Sequence, residues 1–224
     1  MCNLYSLTKG QAAIRAFTGA MRDTTGNLPP MPAIFPDQMA PVVFSAQDGV
    51  RELTMMRWGF PPPPKLASRP VTNIRNVQSP YWRGWLKPGW RCLVLATSFC
   101  EYTEGRPKVP HWFALDEERP AFAFAGLWRP WTGTRGTKAE PVTGEHRLFA
   151  FLTCEANDVV RPIHPKAMPV LLTTRQECDA WLTGPVDEAL ALQRPLPNDR
   201  LQIVLTGPRA DEGLERHGLA ANEA

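Results

Sequence analysis

A cysteine stands directly behind the initiator methionine, and a residue this small in second place permits the methionine's removal. Cys2 would then carry a free α-amine and a thiol on one residue. The amine titrates near about 8 and the thiol near about 8.5, so both are in part nucleophilic at neutral pH. With an aldehyde, such a 1,2-aminothiol forms an imine, and the neighbouring sulfur closes it into a five-membered thiazolidine. That closure is intramolecular, where effective concentrations reach on the order of 10⁵ M or more in well-oriented cases. Position alone does not assign this role, because small second residues are commonplace. The rest of the chain has to supply the partners.

Three further segments carry chemistry. In Thr72-Asn73-Ile74-Arg75-Asn76, strand alternation places Asn73 and Arg75 on one side, an amide beside a guanidinium, which is a cradle for a sugar-phosphate. In Ser98-Phe99-Cys100-Glu101-Tyr102, Glu101 is the first carboxylate after a long stretch without one and follows an apolar strand. A carboxyl in a semi-apolar cleft has a raised pKa and serves as a general acid–base. In Pro162-Ile163-His164-Pro165-Lys166, a histidine is held stiffly among prolines, a setting that His111, His146 and His217 lack. Met39-Ala40-Pro41 and Trp58-Gly59-Phe60 read as backbone-shaping elements along a cleft. Each segment also has a plain structural reading, a polar sheet end, an exposed strand-end glutamate or a core histidine.

The elements that must position these groups are mostly strands. Thr8 to Phe17 reads as a short amphipathic helix with Ala13, Ile14 and Phe17 on one face. Residues 28–36 read as extended. Val42–Phe44, Leu53–Phe60, Leu93–Phe99, Trp112–Leu115, Ala121–Trp128, Leu148–Cys154, Met168–Leu172 and Leu201–Leu205 are strand candidates, and Phe122 and Phe124 alternate with alanines as one face of a sheet requires. Thr174 and Glu177 form a capping box for a helix that Gly184 ends, and Pro185 suits the first turn of another. The pattern predicts an α+β fold with an antiparallel β-rich core and a few short helices. One domain over 2–207 is expected, since no linker or repeat divides the chain, with 208–224 a polar, alanine-rich flexible tail.

Composition narrows the class. A chain of 224 residues with 43% hydrophobic content is expected to be soluble and globular, with no apolar run of membrane-spanning length and no signal pattern, hence cytoplasmic and nucleoid-associated when on DNA. Five cysteines without a CxxC pair argue against a disulfide framework or a structural zinc site, and no metal or cofactor is expected. Net charge is only +3, yet between Leu53 and Cys100 there are no carboxylates. That stretch holds Arg57, Lys65, Arg69, Arg75, Arg83, Lys87 and Arg91 among Trp58, Tyr81, Trp82, Trp85 and Trp90. Interleaved cations and rings suit single-stranded nucleic acid, where cations neutralise phosphates and rings stack on bases. A solvated basic face over core tryptophans is the alternative.

Taken together, Met1-Cys2-Asn3, Ala40-Pro41, Trp58-Gly59-Phe60, Asn73-Ile74-Arg75, Phe99-Cys100-Glu101-Tyr102 and Ile163-His164-Pro165-Lys166-Ala167-Met168-Pro169 resemble, in order, the SRAP (SOS response-associated peptidase) family of abasic-site processing proteins. The resemblance runs from residue 2 to about 205. It implies a barrel-like antiparallel sheet with a DNA cleft and covalent capture of abasic sites in single-stranded DNA as a thiazolidine. By matching motif it implies Cys2 as nucleophile, Asn73 and His164 orienting the opened sugar, Glu101 transferring protons and Arg75 holding the neighbouring phosphate. Arg83, Lys87, Trp58, Tyr102 and Pro41 are counted with the DNA contacts, and a monomer is expected. Departures are plain: many relatives begin Cys-Gly-Arg where this chain has Cys2-Asn3-Leu4, and many have Trp where Tyr102 stands. Another basic residue serves that phosphate, or the contact is absent. Two rival readings are kept: an N-terminal-nucleophile cysteine hydrolase, acting even if only to remove residue 1, and a non-enzymatic single-stranded DNA-binding module.

Overall fold

A computed structural model describes residues 2–62 and 70–213. The chain runs β1 (Tyr5–Leu7), α1 (Gln11–Thr18), β2 (Arg22–Asp23), β3 (Met31–Ile34), β4 (Met39–Ser45), β5 (Arg51–Trp58) and β6 (Asn73–Ile74). Short helix α2 (Pro80–Arg83) and a 3-10 turn lead into β7 (Arg91–Ala96), β8 (Ser98–Tyr102) and β9 (Pro110–Ala114). A long hairpin follows, β10 (Phe122–Gly136) with β11 (Pro141–Cys154). Then come β12 (Met168–Pro169), β13 (Leu171–Leu172), α3 (Arg175–Thr183), α4 (Val186–Ala191) and β14 (Gln202–Thr206).

The fold is α+β and β-rich. Strands β5, β4, β7, β10 and β11 are neighbours in that order, and a parallel pairing of β11 back onto β5, Leu148 with Arg57 and Phe149 with Trp58, closes them into a five-stranded barrel. The other contacts around the ring are antiparallel. Closure removes the free edges that an open sheet would expose. A second antiparallel sheet has the order β14-β9-β8-β1-β3. Tyr5 of β1 meets Trp58, Phe124 and Phe151 edge-on, with centroids 5.1, 5.5 and 6.2 Å away, and so joins the two sheets. Such aromatic pairs add about 0.5–1.5 kcal/mol each beyond the area they bury.

Several expected boundaries shift. The single strand expected over Leu93–Phe99 is two, β7 and β8, because Thr97 turns the chain from the barrel into the second sheet: its amide donates to the Ser6 carbonyl at 2.8 Å, and its hydroxyl lies 3.1 Å from that of Ser6. Met168–Leu172 is likewise split at Val170, where the chain passes from β11 to β10: its amide donates to the Leu152 carbonyl and its carbonyl accepts from the Ala125 amide. Phe122 and Phe124 alternate as expected, but the intervening alanines are buried too, since both faces of this strand are covered. The α3 capping box forms as expected, and Gly184 caps the helix end. On α1 the buried face is Ile14 and Thr18, with Ala13 exposed.

The first residues of the stretch expected as a tail, 208–213, pack against the fold. Asp211 is 1% exposed; Arg119 donates to its carboxylate at 2.9 Å, Ser98 hydrogen-bonds it at 2.6 Å, and its amide donates to the Pro32 carbonyl. Trp112 donates to the Pro208 carbonyl at 2.9 Å. Residues 214–224 of that tail lie outside the described residues, as do Met1, Pro63, Pro64, Lys65 and Arg69. No helix among the described residues is long and apolar enough to cross a membrane.

Candidate active site

Three strand pairings converge on Cys2. Antiparallel pairing of β1 with β8, Tyr5 with Phe99, continues as the Cys100 amide donates to the Leu4 carbonyl at 2.9 Å, which lays Cys2 beside Cys100 and Glu101. Parallel pairing of β6 with β11 sets Asn73 opposite Phe151. Past β11 the chain loops out and returns as β12, with Cys154 opposite Met168, and His164 lies in that loop. The prolines are only part of what stiffens the loop. The His164 amide donates to the Val160 carbonyl at 2.9 Å, and Asn157 braces the turn by accepting from the Val160 amide and donating to the Leu196 carbonyl.

Cys2 is fully buried. Its thiol faces the Leu4 carbonyl at 3.4 Å and the Cys100 carbonyl at 3.9 Å. Burial first, then the nearby Glu101 carboxylate, push its pKa well up, so the sulfur is held as a neutral thiol. Burial likewise raises Cys100, Cys154 and Cys178 to about 12, so low thiol pKa does not single out Cys2; its neighbours do. The Asn73 amide donates to the Cys2 carbonyl at 2.8 Å and to Thr72 Oγ1 at 2.8 Å, and Thr72 Oγ1 donates to Asn3 Oδ1 at 3.0 Å. This chain anchors the backbone on the C-terminal side of the nucleophile. Neither Thr72 nor Asn3 stands out in the sequence, since polar residues beside a strand are common.

Glu101 is 3% exposed, and burial lifts its pKa to about 7. His164 Nδ1 donates to the Ala167 carbonyl at 2.9 Å, which fixes the neutral tautomer and turns Nε2 toward Glu101 Oε2 at 4.0 Å. That separation is long for an ion pair, and burial also holds His164 below its ordinary range. Near neutral pH the pair is therefore a neutral imidazole facing a carboxyl poised between its two forms. Among the described residues, no hydrogen-bond partner reaches Glu101 Oε1 or Asn73 Oδ1, both of which are buried. Two orphaned acceptors beside a nucleophile are what a site awaiting a hydroxyl or ammonium donor looks like, since such atoms otherwise cost about 1–3 kcal/mol each.

The structure thus brings Cys2, Asn73, Glu101 and His164 together. The expected DNA contacts divide. Arg75, Arg83 and Lys87 are exposed and Tyr102 is half-buried. Trp58 and Pro41 are corrected: both are buried and present no surface for a base. Trp58 stacks on Phe149 and Phe151, and its indole donates to the Thr72 carbonyl at 3.1 Å, so it holds the segment that carries Asn73. Gly59 then leaves the barrel at φ 112°, and a side chain there would meet Pro70 at 3.0 Å. The basic stretch is also thinner than its composition suggests. Arg91 is fully buried, donating to the Trp181 and Gly184 carbonyls at 2.7 and 2.6 Å where α3 ends, and burial lowers its pKa to about 10. Arg57 is tied to Asp37. Tyr81 and Trp85 clasp the Arg129 guanidinium, 5.9 and 5.3 Å from their ring centres. Among the described residues no cluster of three or more His, Cys, Asp or Glu could hold a metal.

The fold is a β-barrel joined to a second antiparallel sheet, and just ahead of that sheet's strand β1 a buried cysteine lies beside a carboxyl. A protein of known structure from Bordetella bronchiseptica shares the fold, at 23% identity over 93% of this chain and 99% of its own, with a TM-score of 0.70. A Bacteroides thetaiotaomicron protein (20% identity, 90% of each chain, TM-score 0.65) and a phage-related protein of B. bronchiseptica (20% identity, 90% and 92%, TM-score 0.67) share it as well. No curated protein matches the chain. The chain belongs to the SOS response associated peptidase (SRAP) family, whose model matches residues 1–207. That membership makes it a peptidase-like protein associated with the response to DNA damage.

Proposed function

We propose that Cys2, freed of Met1, captures the aldehyde of abasic sites in single-stranded DNA as a thiazolidine and so shields the lesion. The observation that carries this reading is the meeting of Cys2 with the raised-pKa Glu101 and its orphaned Oε1 in a buried site. An abasic deoxyribose is mostly a closed hemiacetal, which does not react with amines. Protonated Glu101 gives its proton to the ring oxygen, the bond from C1′ to that oxygen breaks, and the C1′ hydroxyl returns a proton to the Glu101 carboxylate as C1′ becomes the aldehyde. The Cys2 amine adds to C1′ and water leaves, forming the imine. The thiol then adds to the imine carbon as its proton passes to nitrogen. Aldehyde and aminothiol have become thiazolidine and water, with no redox change. Stopping at the imine would invite β-elimination and strand cleavage, which ring closure forestalls.

Burial of the thiol fits this order of events. A neutral, desolvated S–H is a poor first nucleophile but needs only a proton acceptor to close the ring, and the imine nitrogen is adjacent. Asn73 holds the Cys2 backbone and offers Oδ1 to a sugar hydroxyl, and His164 Nε2 faces the carboxyl that moves the proton. Arg75 is an exposed cation on the Asn73 segment, 3.8 Å from Glu155, and on this reading it turns to a flanking phosphate.

Intact-mass spectrometry before and after incubation with abasic single-stranded DNA tests the reading. The wild type is expected to lack Met1 and to gain one oligonucleotide less one water, while Cys2→Ala gains nothing. Full-level cross-linking by Cys2→Ala would overturn the assignment. Catalytic turnover with released product, in place of a stoichiometric adduct, would support the hydrolase instead.

A further inference from the structure

Thr72 Oγ1 stands at the middle of a hydrogen-bonded relay that ends at the residue after the nucleophile. It accepts from Asn73 Nδ2 at 2.8 Å and donates to Asn3 Oδ1 at 3.0 Å. The Asn73 amide nitrogen carries two protons, and the other goes to the Cys2 carbonyl at 2.8 Å. Both are thus committed, and Oδ1 of the same amide is left without a partner among the described residues. We infer that Asn3 and Thr72 are positioning residues: they lock the Asn73 amide with Oδ1 toward the reacting sugar, and so make the site selective for aldehydes with a hydroxyl three carbons from the carbonyl carbon. This rests on the reading of Cys2 as the point of capture.

A hydroxyl both donates and accepts, so Thr72 by itself would suit either orientation of the Asn73 amide. Asn3 makes the choice. Its Oδ1 takes the Thr72 proton, which leaves a lone pair facing Asn73, and only the amide nitrogen answers a lone pair. Turning the amide over would break the bond to Cys2 and set Oδ1 against that lone pair. Two hydrogen bonds are lost, which favours the observed orientation by roughly five- to 150-fold. The platform under the relay is stiff. The Thr72 carbonyl accepts from the Trp58 indole at 3.1 Å and from the Phe151 amide at 3.4 Å, and Thr72 is 8% exposed, so little water competes for its hydroxyl. Asn3 stands where many relatives carry glycine, which has no side chain to take the proton.

The chemistry of the lesion supplies the donor for Oδ1. An abasic sugar within a strand has its 3′ and 5′ oxygens in phosphodiesters. When the ring opens, the one hydroxyl it gains is on C4′, formed from the ring oxygen. Bonded to Asn73 Oδ1, that hydroxyl is kept from returning to C1′ before the Cys2 amine adds. An aldehyde without it leaves the acceptor unpaired, and a site built to bond a hydroxyl discriminates against the analogue that lacks one.

The test follows adduct formation on the full chain by intact mass with two small aldehydes. One is 4-hydroxybutanal, a closed hemiacetal that opens to a 4-hydroxy aldehyde; the other is butanal, which has no hydroxyl. The readout is the ratio of the two rates, since a general loosening of the site slows both. Thr72→Val and Asn3→Leu, each close in size to the residue it replaces, are expected to lower that ratio by roughly two- to tenfold, the worth of one neutral hydrogen bond. Thr72→Ser keeps the hydroxyl and is expected to keep the ratio. The double variant of Thr72→Val with Asn3→Leu is expected to lose no more than the larger single, because either substitution breaks the same relay. An unchanged ratio in either single variant, an equal loss in Thr72→Ser, or single losses that multiply in the double would overturn the proposal. Failure of the Cys2 reading shows separately, as absence of any adduct between the wild-type protein and either aldehyde.

Discussion

Replacing Glu101 by Gln tests the electrostatics on which the proton transfer depends. Burial lifts the Glu101 pKa from its ordinary 4.5 to about 7 in the folded protein. Below pH 4.5 the carboxyl is neutral in both states and its burial carries no ionisation cost. Between 4.5 and 7 the unfolded chain ionises first, so stability falls as pH rises through that window. Above 7 both states are ionised and the loss is constant. A shift of this size corresponds to roughly 3 kcal/mol at full extent, of which about 2–3 kcal/mol develops between pH 5 and pH 8. Glutamine is nearly isosteric and cannot ionise, so E101Q escapes this term. Urea unfolding of wild type and E101Q at a series of pH values is expected to show a gap in favour of the variant that widens by about 2–3 kcal/mol from pH 5 to pH 8. The same substitution is expected to slow adduct formation, because the ring oxygen loses its proton donor. A stability gap that stays flat across this range would refute the raised pKa. A normal rate of capture by E101Q would remove Glu101 from the mechanism.

Other substitutions follow from the packing. Arg119→Met leaves the buried Asp211 carboxylate without its cation, and removing one partner of such a pair costs about 3–5 kcal/mol. The double variant Arg119→Met with Asp211→Leu is expected to regain most of that in denaturant unfolding; no loss in the single variant would contradict the pairing. Trp58→Phe removes the indole donor to Thr72 and leaves a gap beside Phe149. It is expected to cost about 1–3 kcal/mol in unfolding and to slow capture through the displaced Asn73, and an unchanged capture rate would separate Trp58 from the site.

The three groups around the nucleophile were legible from local context. Glu101 follows an apolar run after a long stretch without carboxylates, His164 sits among prolines and Asn73 lies in a polar extended segment. What each does to the others was not. The Cys2 thiol's burial beside Glu101 arises from pairing between strands nearly a hundred residues apart, β1 with β8, and the approach of His164 Nε2 to Glu101 joins segments more than sixty residues apart. Trp58 shows the limit from the other side. Tryptophan among arginines reads as a base-stacking ring, and only its neighbours across the barrel, Phe149 and Phe151, reveal it as core.

Sequence by itself determined the chemistry available and the class of fold. An aminothiol is a property of residue order, and strand alternation and capping residues act over a few positions, so both can be read without coordinates. Only the tertiary structure decided which charges meet solvent and which groups meet one another. Seven cations in one stretch look alike on paper, yet Arg91 is spent on the end of a helix while Arg209, at the opposite end of the chain, lines a groove beside Asn3. Burial and long-range pairing are set by the whole chain's packing, and no local pattern encodes them.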